Sequence, residues 1–102
     1  MQEIATDYNN MLKANRRLAI LRHLLNSPEE MDNDGGIRKM LNEGGDPINR
    51  AQLQAELIDL HHHRLLINRI KVPGTNLHVN LLSERGRDVA SGDATHPALL
   101  SE

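Results

Sequence analysis

Asn49, Arg50, Gln52 and Gln54 bring amide and guanidinium groups close together, and such groups donate and accept paired hydrogen bonds. Farther along, Arg69 and Lys71 stand at alternate positions of an extended segment, which puts both cations on one side of it. These are groups that bind rather than groups that make or break covalent bonds. The chain has no G-x-S-x-G, no P-loop, no H-E-x-x-H and no pair of carboxylates in an apolar frame, so an enzyme is not expected. The run His61-His62-His63 raises metal binding as a question. Successive residues of a helix point 100° apart, so the three cannot hold one ion together. A site would need Asp59 with His63, or help from His78. The simpler expectation is that His62 and His63 sit favourably at the negative end of a helix, with no metal bound. Either way, some sensitivity to pH between about 6 and 7 follows from histidine titration. No motif marks a cofactor or a small-molecule ligand.

The element that must position the amide cluster is a helix opening after Asp46-Pro47-Ile48-Asn49, where Asn49 is a good N-cap. Leu53, Leu57 and Leu60 follow at spacings of four and three and form its apolar stripe, with the polar residues elsewhere. It runs to about Arg64. The period then changes, and strands are expected over Leu66 to Val72 and Leu77 to Leu82, joined by a type II turn at Pro73-Gly74. In the first strand Leu66, Ile70 and Val72 share one side; in the second Leu77, Val79 and Leu81 make the buried face and alternate with His78 and Asn80. Ser83 caps a short helix that ends at Ser91-Gly92.

Upstream, Lys13 to Asn26 is amphipathic, with Ala14, Leu18, Leu21, Leu24 and Leu25 on one face. Ile4, Tyr8 and Leu12 continue the four-residue spacing, so either the helix starts near Gln2 or a separate arm precedes it. So apolar an arm calls for a partner, within its own domain or in a second subunit. Lys13, Arg16, Arg17 and Arg22 form a basic patch of the kind solvated helices carry. Pro28 halts this helix, and a further one is expected from Asp34 to Glu43, with Ile37, Met40 and Leu41 facing in and Gly44-Gly45 as its stop. Gly35 and Gly36 weaken its first turn by about 1 kcal/mol each relative to alanine.

A chain of 102 residues suits one domain, burying roughly two thirds of the surface its unfolded form exposes. Residues 1-12 read as an arm or helical extension, 13-92 as the domain, and 93-102 as a tail. With Tyr8 the only aromatic, the core must be aliphatic, and stacking platforms for bases are not expected. The net charge of -2 excludes a uniformly basic nucleic-acid coat, so any cationic function is local. The absence of cysteine excludes disulfides and thiolate chemistry and fits a reducing cytoplasm. No apolar run approaches membrane-spanning length and no export signal is evident.

Helix, helix, glycine-containing turn, helix, hairpin, helix is the element order of the winged helix-turn-helix, a mainly α fold with a β-hairpin, here with an N-terminal helical extension. Ile48-Asn49-Arg50-Ala51-Gln52-Leu53, followed by Leu57, Leu60 and Arg64-Leu65-Leu66, resembles the recognition helix and first wing strand of MarR- and ArsR-like bacterial regulators. Leu82-Ser83-Glu84-Arg85-Gly86-Arg87 is similar to the L-T-x-x-G segment that closes the wing, with Ser in the Thr place. With Asn15-Arg16-Arg17-Leu18-Ala19-Ile20-Leu21-Arg22, the chain also resembles small winged-helix proteins of Mu-like prophages over roughly Lys13 to Gly92. It departs from the pattern at Arg64, where a glycine is usual, and the small phage proteins have no agreed function to carry over.

The resemblance implies sequence-specific binding of double-stranded DNA, in phage or prophage transcriptional control within a bacterial cytoplasm. Asn49, Arg50, Gln52 and Gln54 would meet base edges in the major groove, while Arg69 and Lys71 would meet phosphates. A homodimer is expected because one such head covers few base pairs, with Ile4, Tyr8 and Leu12 as its contact. Glu56 and Asp59 count against this reading if they face a polyanion. The alternative is a phage protein-interaction module that uses the same fold without DNA.

Overall fold

The structure, a computed structural model, describes residues 2-96, with side chains described from residue 8 onward. Helix α1 (Gln2-Leu25) is followed by a 3-10 turn (Pro28-Glu30), strand β1 (Met31-Asn33), α2 (Asp34-Glu43), α3 (Arg50-His62), β2 (Ile67-Lys71), β3 (His78-Leu82) and α4 (Glu84-Ser91). The fold is therefore mainly helical with a small antiparallel sheet in the order β1-β3-β2. Of the two openings the sequence allows, the structure has the continuous one: α1 runs unbroken from Gln2.

Capping fixes where the helices begin. Asn33 accepts from the Gly36 amide and starts α2, and Ser83 accepts from the Gly86 amide and starts α4. Asn49 and Gln52 form a reciprocal capping box at α3, each side chain taking the other residue's backbone N-H. Gly92, at φ 89°, closes α4 in the left-handed region, where glycine pays no Cβ penalty. At the hairpin, the Thr75 amide donates to the Val72 carbonyl and Gly74 has φ 77°, as the type II turn requires.

Ile20, Leu21 and Leu24 of α1 meet Ile37 and Leu41 of α2 and Leu53, Leu57 and Leu60 of α3 in one aliphatic core, which Leu66, Ile67, Leu82 and Val89 extend. In α1 the buried face is turned slightly from the expected stripe: Ile20 is in it, while Leu18 and Leu25 are only half-buried. Gly86 shows why the close of the hairpin needs a glycine. A Cβ there would lie 2.0 Å from the Leu66 carbonyl oxygen. That carbonyl also receives the Ser83 amide, while the Ser83 hydroxyl donates to the Leu65 carbonyl. Leu65 has φ 58°, so the left-handed residue at this corner lies one place after Arg64.

The expected inward face of the hairpin holds at Leu66, which is buried, but not at Ile70 and Leu77, and Val72, Val79 and Leu81 are only half-buried. Leu77 is 63% exposed and Ile70 is exposed, whereas Ile67, Leu82 and Asn80 are buried, Asn80 completely. The register pairs Ile67 with Leu82 and Arg69 with Asn80, so these four residues share one face. Two of them are polar, and counting apolar residues along the strand therefore missed this face. β1 was not expected from the sequence either. It is three residues long, too short for periodicity to register, and it pairs Met31, Asp32 and Asn33 with Leu81, Asn80 and Val79.

The segment from Asp93 is folded against the domain at least as far as His96, which is buried. Burial first, then the positive charges of Arg85 and Arg64, push its imidazole below the ordinary 6.5.

Candidate nucleic-acid interface

The outer surface of α3 carries Arg50, Ala51, Gln52, Gln54, Ala55, Ile58 and His62, all exposed. The stripe Leu53, Leu57 and Leu60 holds the opposite surface in the core. The two acidic residues of this helix do not join the outer surface as free charges. Glu56 is half-buried and paired with Arg17 of α1. Asp59 is engaged by Arg64 and His63, each at 3.3 Å.

A groove separates α3 from the β2-β3 hairpin. One end is lined by Arg38, Arg50, Leu53, Leu77 and the first residues of α2; the other by Ile58, His61, His62 and Lys71. Gln54 and His78 border both. Arg50, Gln54 and Lys71, three of the residues singled out from the sequence, thus share one concave surface.

The others are occupied elsewhere. Asn49 and Gln52 commit their side-chain oxygens to the capping box, at 2.8 and 3.1 Å, so each holds the helix start while its amide NH2 can still donate to an outside partner. The expectation that Arg69 reaches a phosphate is corrected. Its side chain is 6% exposed, and its guanidinium is clamped by Asp34 at 2.6 and 2.8 Å and bonded to Asn80 at 2.9 Å. Lys71, two residues along, is exposed and remains the hairpin's cation on this surface. Thr75 serves the turn itself, its hydroxyl donating to Val72 and accepting from Leu77.

No family model matches the chain, and no curated protein or solved structure does either.

The histidine run fans out as helix geometry demands. His61 turns its Nδ1 toward the Ile67 carbonyl and the Arg69 amide, and His63 pairs with Asp59. Among the described residues, no group of three or more histidine or acidic side chains could hold a metal ion. Among them, too, no helix is long and apolar enough to cross a membrane.

The basic patch on α1 divides in two. Arg16 makes a two-point contact with Asp46, at 2.8 and 2.7 Å, and Arg17 holds Glu56, while Lys13 and Arg22 are exposed. The sequence carried no signal for these pairings, since their partners lie 30 and 39 residues away. For the dimer contact, Tyr8 is 57% exposed and Leu12 is exposed beside Met11. The side chain of Ile4, the third residue expected there, lies outside those described.

Proposed function

We propose that this chain is a winged helix-turn-helix protein that binds double-stranded DNA, a phage or prophage transcriptional regulator with α3 as its reading helix. The observation that carries the reading is the disposition of charge on α3. Its two carboxylates are tied to Arg17, Arg64 and His63, while Arg50 and Gln54 stand exposed beside Lys71 of the hairpin. A helix offered to a polyanion needs its acids neutralised and its cations and amides outward. The strand order and the hairpin packed beside α3 are consistent with the same reading. In it Arg50 and Gln54 meet base edges near the start of the helix, Lys71 meets a phosphate, and Asn49 and Gln52 principally hold the helix start in shape. Two copies joined through Tyr8, Met11 and Leu12 on α1 would read adjacent half-sites.

Duplex fragments selected from a random pool, followed by titration at several salt concentrations, test the proposal. Affinity should fall steeply with salt, and Arg50→Ala and Lys71→Ala should each weaken it and flatten the salt slope by about one. Absence of binding to any duplex at low salt would sink it. A second reading, a protein-interaction module with the same fold, is favoured by Leu77, Ile70 and Ile58, which are exposed around the groove and its hairpin. It predicts that charge reversal at Arg50 leaves partner binding intact while Leu77→Asp abolishes it.

A further inference from the structure

At the end of the groove nearest α2 there is a cavity of about 330 Å3 between the starts of α2 and α3 and the hairpin tip. That size falls at the lower end of cavities that hold small organic ligands. Its exposed apolar lining is Leu77; Leu53 borders the cavity but is only 1% exposed. Its cations are Arg38 and Arg50, with His78 also on the wall. Asp34 is the single carboxylate of the lining, and both its oxygens already accept from Arg69, one of them from Asn80 as well. Arg38 is anchored by its Nε, which donates to the Ile48 carbonyl, and its two terminal nitrogens lie beyond that bond. Arg50 has no hydrogen-bond or ion-pair partner among the described residues. The wall thus combines two arginines with unspent terminal donors, one exposed leucine, and an acid that is already neutralised.

We infer that this cavity binds a small amphiphilic carboxylic acid, its hydrocarbon body against Leu77 and its carboxylate between Arg38 and Arg50. An inorganic anion would leave Leu77 uncovered, and a neutral hydrocarbon would leave the arginines unanswered; a carboxylate on a short apolar chain satisfies both. Arg50 also belongs to the surface proposed for DNA, so acid and duplex would compete for it. That competition, and nothing else in the inference, rests on the DNA-binding reading.

The test uses the full chain without DNA, with octanoate and its neutral analogue octanamide as probes and backbone amide NMR as the readout. Octanoate is expected to shift the amides of Leu53, Leu77 and His78 saturably, and octanamide to leave them in place. Arg50→Ala, at an exposed position, and Arg38→Gln should each weaken octanoate by about tenfold with the rest of the spectrum unchanged. Equal shifts from octanamide, shifts confined to another surface, or no saturable shift would each overturn the site. A duplex titration repeated with octanoate then tests the competition separately. A chain that takes octanoate but no duplex supports the acid site and removes only the competition.

Discussion

The guanidinium of Arg69 on β2 and the carboxylate of Asp34 at the start of α2 face each other at two points, 2.6 and 2.8 Å apart, across 35 residues of sequence. Asn80 of β3 completes the cluster by donating to Asp34 and accepting from Arg69. Three elements are thereby held in register from one polar knot. Because the groove lies between the hairpin and α2 with α3, the knot also fixes the groove's width.

Removing either ion should cost more than an exposed pair would, because the survivor stays largely out of water. Arg69→Ala or Asp34→Asn is expected to destabilise the domain by about 3 kcal/mol, readable as a lower urea midpoint. The pH dependence has a definite sign. Burial pushes the Asp34 carboxyl up, but hydrogen bonds from Arg69 and Asn80, with the charges of Arg69 and His78, outweigh it and leave the group below its ordinary 3.8. The stabilisation is therefore complete above that ordinary value and is lost as pH falls through the lower, folded one. Asp34→Asn should remove this part of the acid transition, and an unchanged acid limb in the variant would refute the assignment.

Gly86 makes a second demand that is local and steric. Alanine there would drive a methyl group to 2.0 Å from the Leu66 carbonyl oxygen and 2.9 Å from the Leu82 side chain, against backbone that cannot move without opening the β2-α4 corner. Gly86→Ala should cost about 2 to 3 kcal/mol. Gly45→Ala is a useful contrast: nothing lies within 4 Å of its Cβ position, yet its φ of 85° disfavours a side chain. Its cost should be only about 1 kcal/mol, so thermal melts of the two variants separate collision from conformation.

The parts of this fold that were legible in the sequence are those set by near neighbours. The limits of α2, the caps Asn49 and Ser83, the leucine stripe of α3 and the Pro73-Gly74 turn each depend on residues within a few positions of one another. What could not be read depends on distant partners. Arg69 looks like an exposed hairpin cation until Asp34 is brought beneath it, and Asn80 looks like an outward residue until it joins them. Glu56 looks like an obstacle to binding a polyanion until Arg17 covers it. Arg50, Gln54 and Lys71, by contrast, keep in the structure the exposure their sequence pattern suggests.

The outer part of α1 carries the contact proposed to join two copies of the chain. Tyr8, Met11 and Leu12 are all exposed on a helix whose later turns are buried in the core, so they form an apolar patch that the described residues leave exposed. The paired variant Tyr8→Glu with Leu12→Glu should convert a dimer into a folded monomer in analytical ultracentrifugation, with far-UV circular dichroism little changed. It should also weaken binding to a two-half-site duplex by more than binding to a single half-site. A wild-type chain that sediments as a monomer at all concentrations would end the dimer proposal.

Finally, α3 allows the charge argument to be tested at two positions only two residues apart. Gln54 is exposed and borders both ends of the groove, so Gln54→Glu places a new carboxylate where a duplex is proposed to lie and beside Arg50 one turn earlier. Affinity for DNA should fall by about tenfold or more at low salt, and by less as added salt screens the repulsion. Glu56 already carries a carboxylate on the same helix, but Arg17 holds it, so Glu56→Gln should change DNA affinity by less than about threefold while lowering stability modestly. If the two variants weakened or strengthened binding to the same extent, direction within the helix would not matter, and α3 would not be the surface that meets DNA.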